Sequence, residues 1–163
     1  MSAKYWLLKV EPEVFAFEDL LRAKQRTTVW SGVRNYQARN LLRDELAPGD
    51  GVLYYHSNAT PSGVAGLARV ARAGYPDPTQ FDARDPAFDA KSTRAAPRWF
   101  AVDVQALRAL PRFVALEELR AEPSLTGMAL LRRGNRLSVQ PVTRAEWRTV
   151  LRLGGLKGPE IEL

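Results

Sequence analysis

The sequence predicts an α+β fold, a small pseudo-barrel of curved mixed or antiparallel strands flanked by helices. Its 163 residues suit a single domain that can bury a core without disulfides or a structural metal. Predicted strands do not alternate regularly with predicted helices, which argues against a doubly wound α/β sheet. The closely spaced glycines Gly63 and Gly66 lie at the start of a predicted strand and favour the tight curvature of a barrel.

Six segments have the aromatic and aliphatic composition, or the alternation, that is typical of strands. They cover 4–10, 51–56, 64–72, 99–105, 111–115 and 136–140. The second and third are joined by a turn, which predicts a hairpin. The proline-rich stretch 74–98 has little periodicity and predicts a long loop, held to the body by the aromatic rings of Tyr75, Phe81 and Phe88.

Helices are predicted at 16–23, 35–46, 116–121 and 143–153. In the second, Ala38 and three leucines share one face at helical spacing. The last begins at Thr143, a plausible N-cap with Glu146 three residues later. Two glycines end this helix, so we expect one domain over 1–155 and a C-terminal tail over 156–163.

Composition excludes several classes of function. There is no cysteine and one histidine, His56, which excludes a disulfide scaffold, a thiol nucleophile and cysteine- or histidine-rich metal centres; we expect no cofactor. Lysine and arginine number 24 against 18 acidic residues, a net charge of +6, which favours a polyanionic partner such as nucleic acid. No apolar run has the length of a signal peptide or a membrane helix, so we expect a cytoplasmic protein without membrane contact. We also expect a monomer.

Basic residues concentrate between residues 20 and 43, a stretch that contains no acid. On the helix that begins near Asn35, the face opposite the leucines carries Arg39 and Arg43, and Arg34 lies just before it. Guanidinium groups match phosphate geometry, so these three arginines are candidate phosphate contacts. A solvated helix face is the alternative.

The segment Trp30-Ser31-Gly32 precedes that helix and is too short and polar to predict a strand. An aromatic ring beside accessible backbone and a helix N-terminus is a platform for a nucleobase. Asn35 both donates and accepts hydrogen bonds and suits a base edge. The alternatives are a core tryptophan and a helix cap.

His56 and Ser57 end the strand 51–56. Any imidazole-based acid–base chemistry must use His56. The sequence lacks the G-x-S-x-G motif of a nucleophile elbow, and neighbouring strand residues face opposite sides. Ligand contact and structural hydrogen bonding are therefore the alternatives to catalysis.

Seven blocks together resemble the EVE domain in order and spacing, over roughly residues 4–153. They are YWLLKVEP (5–12), WSGVRNYQARN (30–40), YYHS (54–57), GVAG (63–66), YPDPTQFD (75–82), PRWFAVDV (97–104) and RLSVQPVT (136–143). The resemblance implies a PUA-like fold, similar to that of YTH domains. It also implies a reader of modified bases, notably modified cytosines such as 5-methylcytosine in DNA, with RNA as another proposed ligand.

The resemblance further implies which positions bind. The base-binding candidates that lie in the matching blocks are Trp30, Ser31, Gly32, Asn35, Tyr36, His56, Ser57, Trp99 and Ser138. Arg136 is a fourth phosphate-binding candidate. The first block commonly carries a serine where this chain has Val10; a valine facing the ligand favours a methylated, less polar base edge.

The leading hypothesis is thus a non-enzymatic nucleic-acid-binding module that holds a modified base. The partner we expect first is DNA that carries this base. Two alternatives stay open. One is a nuclease or base-excising hydrolase that uses His56, and the other is a PUA-like module that binds RNA.

Overall fold

The computed structural model describes residues 3–162. Its strands are β1 (Tyr5–Val10), β2 (Thr27–Trp30), β3 (Gly51–His56), β4 (Gly63–Pro76), β5 (Phe100–Ala115) and β6 (Val139–Val142). Its α-helices are α1 (Pro12–Phe15), α2 (Phe17–Arg22), α3 (Tyr36–Asp44), α4 (Leu116–Ala121) and α5 (Arg144–Leu153). Short 3₁₀ turns connect several of them.

The strands form one sheet in the order β2-β5-β4-β3-β1-β6. The pair β1–β3 is parallel, and the other pairs are antiparallel. Irregularities in register recur along β4 and β5 and bend both strands. The sheet is not closed, because β2 and β6 each pair on one side only. This mixed, curved and open sheet with flanking helices is the α+β architecture that the sequence predicts.

Apolar side chains cover both faces of the central strands. Trp6 and Leu8 of β1 join one core cluster, whereas Leu7 joins a second cluster that contains Trp147 of α5. Burial on two faces explains why β1 and β3 are nearly continuous apolar runs rather than alternating ones. The second cluster also includes Leu156 and Ile161, so the segment after α5 packs against the body.

The close approach of Phe17 accounts for one of the strand glycines. A Cβ atom on Gly66 would lie 2.3 Å from the Phe17 ring. Gly66 therefore permits α2 to pack directly on β4.

Three strand predictions were wrong in detail. The segments 99–105 and 111–115 are one strand, β5. Its residues 110–113 bulge out of the ladder opposite Ala65, between the pairs Gly66–Ala109 and Val64–Val114, so Pro111 removes no ladder hydrogen bond there.

The segment 27–30 is a strand that the sequence analysis did not identify, although its residues Thr-Thr-Val-Trp are typical of one. It pairs with the distant β5. The last strand is β6 at Val139–Val142 instead of 136–140.

Helix caps follow the predicted chemistry. The Thr143 hydroxyl accepts from the backbone N–H of Glu146 (3.1 Å), and the Glu146 carboxylate accepts from the N–H of Thr143 (2.9 Å). At α3, the Asn35 side-chain oxygen accepts from the N–H of Ala38 (3.0 Å). Within residues 3–162, no helix is long and apolar enough to cross a membrane.

Polar contacts hold the long loop after β4, in addition to the half-buried rings of Tyr75 and Phe81. The buried amide of Gln80 donates to the carbonyls of Asp77 (2.7 Å) and Trp99 (2.8 Å), and its oxygen accepts from the Ser92 hydroxyl (2.5 Å). Phe88 is 41% exposed. The loop is therefore fixed at both of its ends.

Candidate nucleic-acid interface

A cavity of about 490 Å³ opens where the sheet fails to close. It lies between β2 on one side and β1 with the start of β6 on the other, and we call it the seam cavity. Its lining consists of Lys9, Val10, Val14, Phe15, Thr28, Val29, Trp30, Ser31, Gly32, Val33, Arg34, Asn35 and Ser138. The size suits a ligand no larger than a nucleoside or a small cofactor.

A buried carboxylate fixes the shape of the loop between β2 and α3. Asp77 is fully buried, and its Oδ2 accepts from the N–H of Gly32 (2.7 Å) and from Nη1 of Arg34 (3.1 Å). Gly32 has a φ of +81°, a conformation that favours glycine. Asp77 therefore holds the backbone that runs along the cavity from Ser31 to Arg34.

Trp30 is held by packing at the end of β2. Its ring lies edge-on to Tyr54, with centroids 5.6 Å apart and planes at 87°, and only 7% of the residue is exposed. Part of the Trp30 side chain lines the seam cavity. The core and the binding interpretations of Trp30 are thus compatible in this structure.

The lining combines apolar and polar side chains. Aliphatic groups come from four valines, and the second aromatic ring is that of Phe15. Polar groups come from threonine, serine and asparagine side chains, and positive charge from Lys9 and Arg34. Burial lowers the pKa of Lys9 below its usual value. No carboxylate or imidazole belongs to the lining.

The seam cavity brings together six of the residues singled out from sequence: Trp30, Ser31, Gly32, Arg34, Asn35 and Ser138. Val10, the departure in the first block, also lines it. Sequence reasoning missed Val14 and Phe15, which belong to α1. Pro12 at the first helical position and Glu13 in the first turn were the available signals for that helix.

Tyr36 and Trp99 lie outside the seam cavity and stack on each other, with ring centroids 4.8 Å apart and planes at 26°. The Trp99 indole N–H donates to Asp89 (2.7 Å). That hydrogen bond, the N–H of Lys91 and the charge of nearby arginines hold the pKa of Asp89 below its usual value. Tyr36 is 52% exposed, so any ligand that it contacts lies on the outer surface.

His56 and Ser57 also lie outside the lining. His56 Nε2 accepts from the N–H of Phe17 (3.1 Å), and its ring packs near Tyr54 and Phe113. Burial lowers the pKa of His56, which keeps the imidazole neutral and able to accept. Ser57 donates its backbone N–H to the carbonyl of Val10 (2.9 Å). Among residues 3–162, no three acidic or imidazole side chains are grouped as a metal site would need.

The three arginines predicted on and before α3 have internal partners. Arg34 binds the Ala87 carbonyl through Nη2 (2.7 Å) and Nε (3.1 Å), in addition to its bond to Asp77. Arg39 donates to the Arg98 carbonyl (2.7 Å). Arg43 makes a two-pronged contact with Asp44, with both distances 2.8 Å.

Arg136 differs from these three. It is exposed and has no hydrogen-bond or ion-pair partner in the described part of the chain. Among the four arginines predicted to bind phosphate, Arg136 is therefore the one whose guanidinium no described residue engages.

Comparison with known proteins identifies similar chains. A family model described as the EVE domain matches residues 4–153. Human thymocyte nuclear protein 1 is 40% identical over 168 residues, which cover 93% of this chain and 74% of the human protein.

Solved structures agree with this similarity. The crystal structure of human THYN1 protein in complex with 5-methylcytosine containing DNA is 40% identical, with a TM-score of 0.88, and covers 96% of this chain and 100% of that chain. A protein from Pseudomonas putida is 43% identical, with a TM-score of 0.87, and covers 92% of this chain and 99% of that chain.

A YTH domain from Zygosaccharomyces rouxii, at 16% identity and a TM-score of 0.53 over 99% of this chain and 90% of that chain, shares the fold alone. The predicted PUA-like pseudo-barrel is thereby confirmed.

Proposed function

This chain belongs to the EVE domain family, and from that premise we propose that it is a non-enzymatic module that binds DNA and holds a modified cytosine in the seam cavity. The observation that carries the proposal is the lining, which combines apolar side chains with hydrogen-bonding groups in a cavity of about 490 Å³. The complex of human THYN1 protein with 5-methylcytosine containing DNA supports the choice of DNA and of this base.

The base enters the cavity after extrusion from the stack. Trp30 and Phe15 are the aromatic side chains of the lining, and contact with them offsets lost base stacking. Val10 adds to the apolar side chains of the lining. A 5-methyl group placed against it is removed from water, which is worth about 0.8 kcal/mol for one carbon.

Asn35 has a defined orientation for reading the base edge. Its oxygen is engaged as the cap of α3, and its NH₂ group has no hydrogen-bond partner among residues 3–162. The group that remains for the ligand is thus a donor. Cytosine offers acceptors at O2 and N3, so we place its Watson–Crick edge toward Asn35.

A hydrolytic reaction finds less support in the geometry. A base-excising enzyme or a nuclease needs an acid or a base within hydrogen-bond reach of the reacting group. The lining offers neither a carboxylate nor an imidazole, so its one amine, Lys9, has no acidic partner there with which to exchange a proton. The acceptor nitrogen of His56 is occupied by the N–H of Phe17. A binding module that leaves the base unaltered fits these positions.

The test is Asn35→Asp. Aspartate is as good a helix cap as asparagine, so α3 keeps its cap, but the carboxylate cannot donate to cytosine. We expect the affinity for a 5-methylcytosine duplex to fall roughly 5- to 150-fold, the equivalent of ~1–3 kcal/mol for one base contact. The unfolding midpoint should stay close to that of the wild type.

Two further samples complete the experiment. Tyr36→Phe, next to Asn35 but outside the cavity, is the control and should bind as the wild type does. An RNA oligonucleotide of the same sequence separates a DNA module from an RNA module. Wild-type protein that shows no preference among methylated DNA, unmethylated DNA and RNA would rule out the proposed function. The cytoplasmic location and the monomeric state stay predictions.

A further inference from the structure

A second cavity of about 550 Å³ lies directly beside the first. Asn35 belongs to the lining of both, and the consecutive residues Leu137 and Ser138 line one cavity each. Its outer wall is the segment 132–136, Arg-Arg-Gly-Asn-Arg, which we call the arginine loop. A ligand that leaves the seam cavity past Asn35 therefore reaches this loop next.

The backbone of the arginine loop is fixed by its own hydrogen bonds. The Asn135 amide donates to the carbonyl of Ala129 (2.7 Å), and its oxygen accepts from the N–H of Leu137 (3.1 Å). The buried Gln140 donates to the carbonyl of Leu137 (2.7 Å). Gly134 turns the chain with a φ of +81°. The loop thus presents its side chains from a defined position.

The arginine side chains of this loop are exposed and largely without partners. Arg133 and Arg136 make no hydrogen bond or ion pair with any residue between 3 and 162, and Arg132 has one long contact, to the carbonyl of Gly127 (3.4 Å). The cavity lining includes no acidic residue. Three positive charges are therefore without an acidic partner at this place in the described part of the chain.

The first turn of α3 adds to the positive potential. Gln37, in that turn, lines the second cavity. The N-terminal N–H groups of a helix favour a phosphate, and α3 is nine residues long. Arginine side chains together with a helix N-terminus are a typical binding site for a phosphate group.

We propose that the second cavity binds the backbone phosphates of the DNA strand whose extruded base occupies the seam cavity, with Arg132, Arg133 and Arg136 as the contacts. This inference rests on the proposed function and adds to it the path of the strand. The arginine loop supplies affinity without regard to base identity, and the seam cavity supplies selectivity.

The experiment compares two triple variants of equal charge. The first is Arg132→Gln, Arg133→Gln and Arg136→Gln. The control is Arg69→Gln, Arg120→Gln and Arg152→Gln, three exposed arginines that line neither cavity. Affinity for a 5-methylcytosine duplex and for its unmethylated counterpart is measured from 50 to 200 mM salt, after thermal unfolding has shown that both variants fold.

Each phosphate contact on duplex DNA contributes about 0.9 to the slope of log affinity against log salt. We therefore expect the first variant to lose roughly 2–3 from that slope. Over the fourfold salt range, the wild type should lose roughly 15- to 65-fold more affinity than the variant does. The preference for methylated over unmethylated DNA should stay unchanged, and the control should follow the wild type.

Two results would overturn the inference in distinguishable ways. If the wild type prefers methylated DNA but both triple variants keep the salt slope of the wild type, the phosphates lie elsewhere and the proposed function stands. If the wild type binds no DNA at any salt concentration, the proposed function fails and the assignment of the phosphates fails with it.

Discussion

Replacing Asp77 by asparagine is expected to destabilise the protein and to weaken base binding together. The Oδ1 atom accepts from the backbone N–H of Thr79 (2.8 Å) and from its hydroxyl (2.6 Å), while Oδ2 accepts from Gly32 and Arg34. An amide offers one oxygen and one NH₂ group, so one of these two pairs of donors must face another donor.

The magnitude follows from what is left unpaired. If the amide oxygen keeps the contacts to Thr79, the N–H of Gly32 loses its acceptor, which costs about 1–3 kcal/mol for a buried donor and less at Gly32, which is exposed. Arg34 loses its carboxylate, although it keeps the carbonyl of Ala87. Breaking a buried ion pair by removing one partner costs ~3–5 kcal/mol. The Arg34 side chain is 23% exposed, so we expect a total near the lower limit, about 3 kcal/mol.

Denaturant unfolding followed by tryptophan fluorescence measures this loss, and oligonucleotide titration at low denaturant measures the accompanying fall in affinity. Asp82→Asn is the matched control, because Asp82 lies in the same loop with a half-exposed side chain and accepts from the backbone N–H of Arg84 (3.0 Å). It should change stability by less than about 0.5 kcal/mol. A loss below 1 kcal/mol for Asp77→Asn would show that Asp77 does not hold the loop.

Three other outcomes can be measured on the same protein. Val10→Ser removes apolar surface from the seam cavity, so the preference for 5-methylcytosine over cytosine should fall roughly fivefold, about 1 kcal/mol; an unchanged ratio of dissociation constants would place Val10 away from the methyl group. Because burial lowers the pKa of His56 in the folded state, the folded protein binds fewer protons than the unfolded chain below about pH 6.5. The free energy of unfolding should therefore fall as the pH drops from about 6.5 toward 5, by at most ~1.4 kcal/mol per pH unit, and His56→Gln should remove this dependence; persistence of the slope in the variant would assign it to other groups. Gly66→Ala places a Cβ atom 2.3 Å from the Phe17 ring and should cost about 1–3 kcal/mol, whereas Gly127→Ala, with no atom within 4 Å, should be tolerated in the same unfolding assay.

The elements that sequence predicted well are those set by local periodicity. Helices α3 and α5 carry their apolar faces and caps within a dozen residues, and both lie where expected. Strand β2 depends instead on its pairing with β5, which is more than 70 residues away, and its own composition gives no sign of that partner. The bulge that accommodates Pro111 is likewise a property of two paired strands.

The candidate site also contains residues that the sequence indicates and residues that only the fold brings there. The chemistry of Trp30 and Asn35 suggested a base platform from sequence, and both residues line the seam cavity. The contribution of Phe15 arises from the packing of a four-residue helix against the open edge of the sheet. No periodic signal in so short a segment indicates which side of the sheet it will meet.

The fold, and not the sequence alone, decides which arginines have internal partners and which are open to a ligand. Basic residues concentrate between residues 20 and 43, a stretch that contains no acid, and their number alone predicts the nucleic-acid contacts there. Arg34 instead binds Asp77 and Ala87, and so helps to shape the loop that forms the cavity. Its contribution to binding is expected to come through the position of Gly32 and Asn35. The arginine loop has fewer basic residues, yet its charges lack partners in the described chain, and a free guanidinium gains more from a phosphate than one that must first give up a carbonyl or a carboxylate. Neutralising Arg34 should therefore lower stability and base selectivity, whereas neutralising Arg136 should lower the salt dependence of binding.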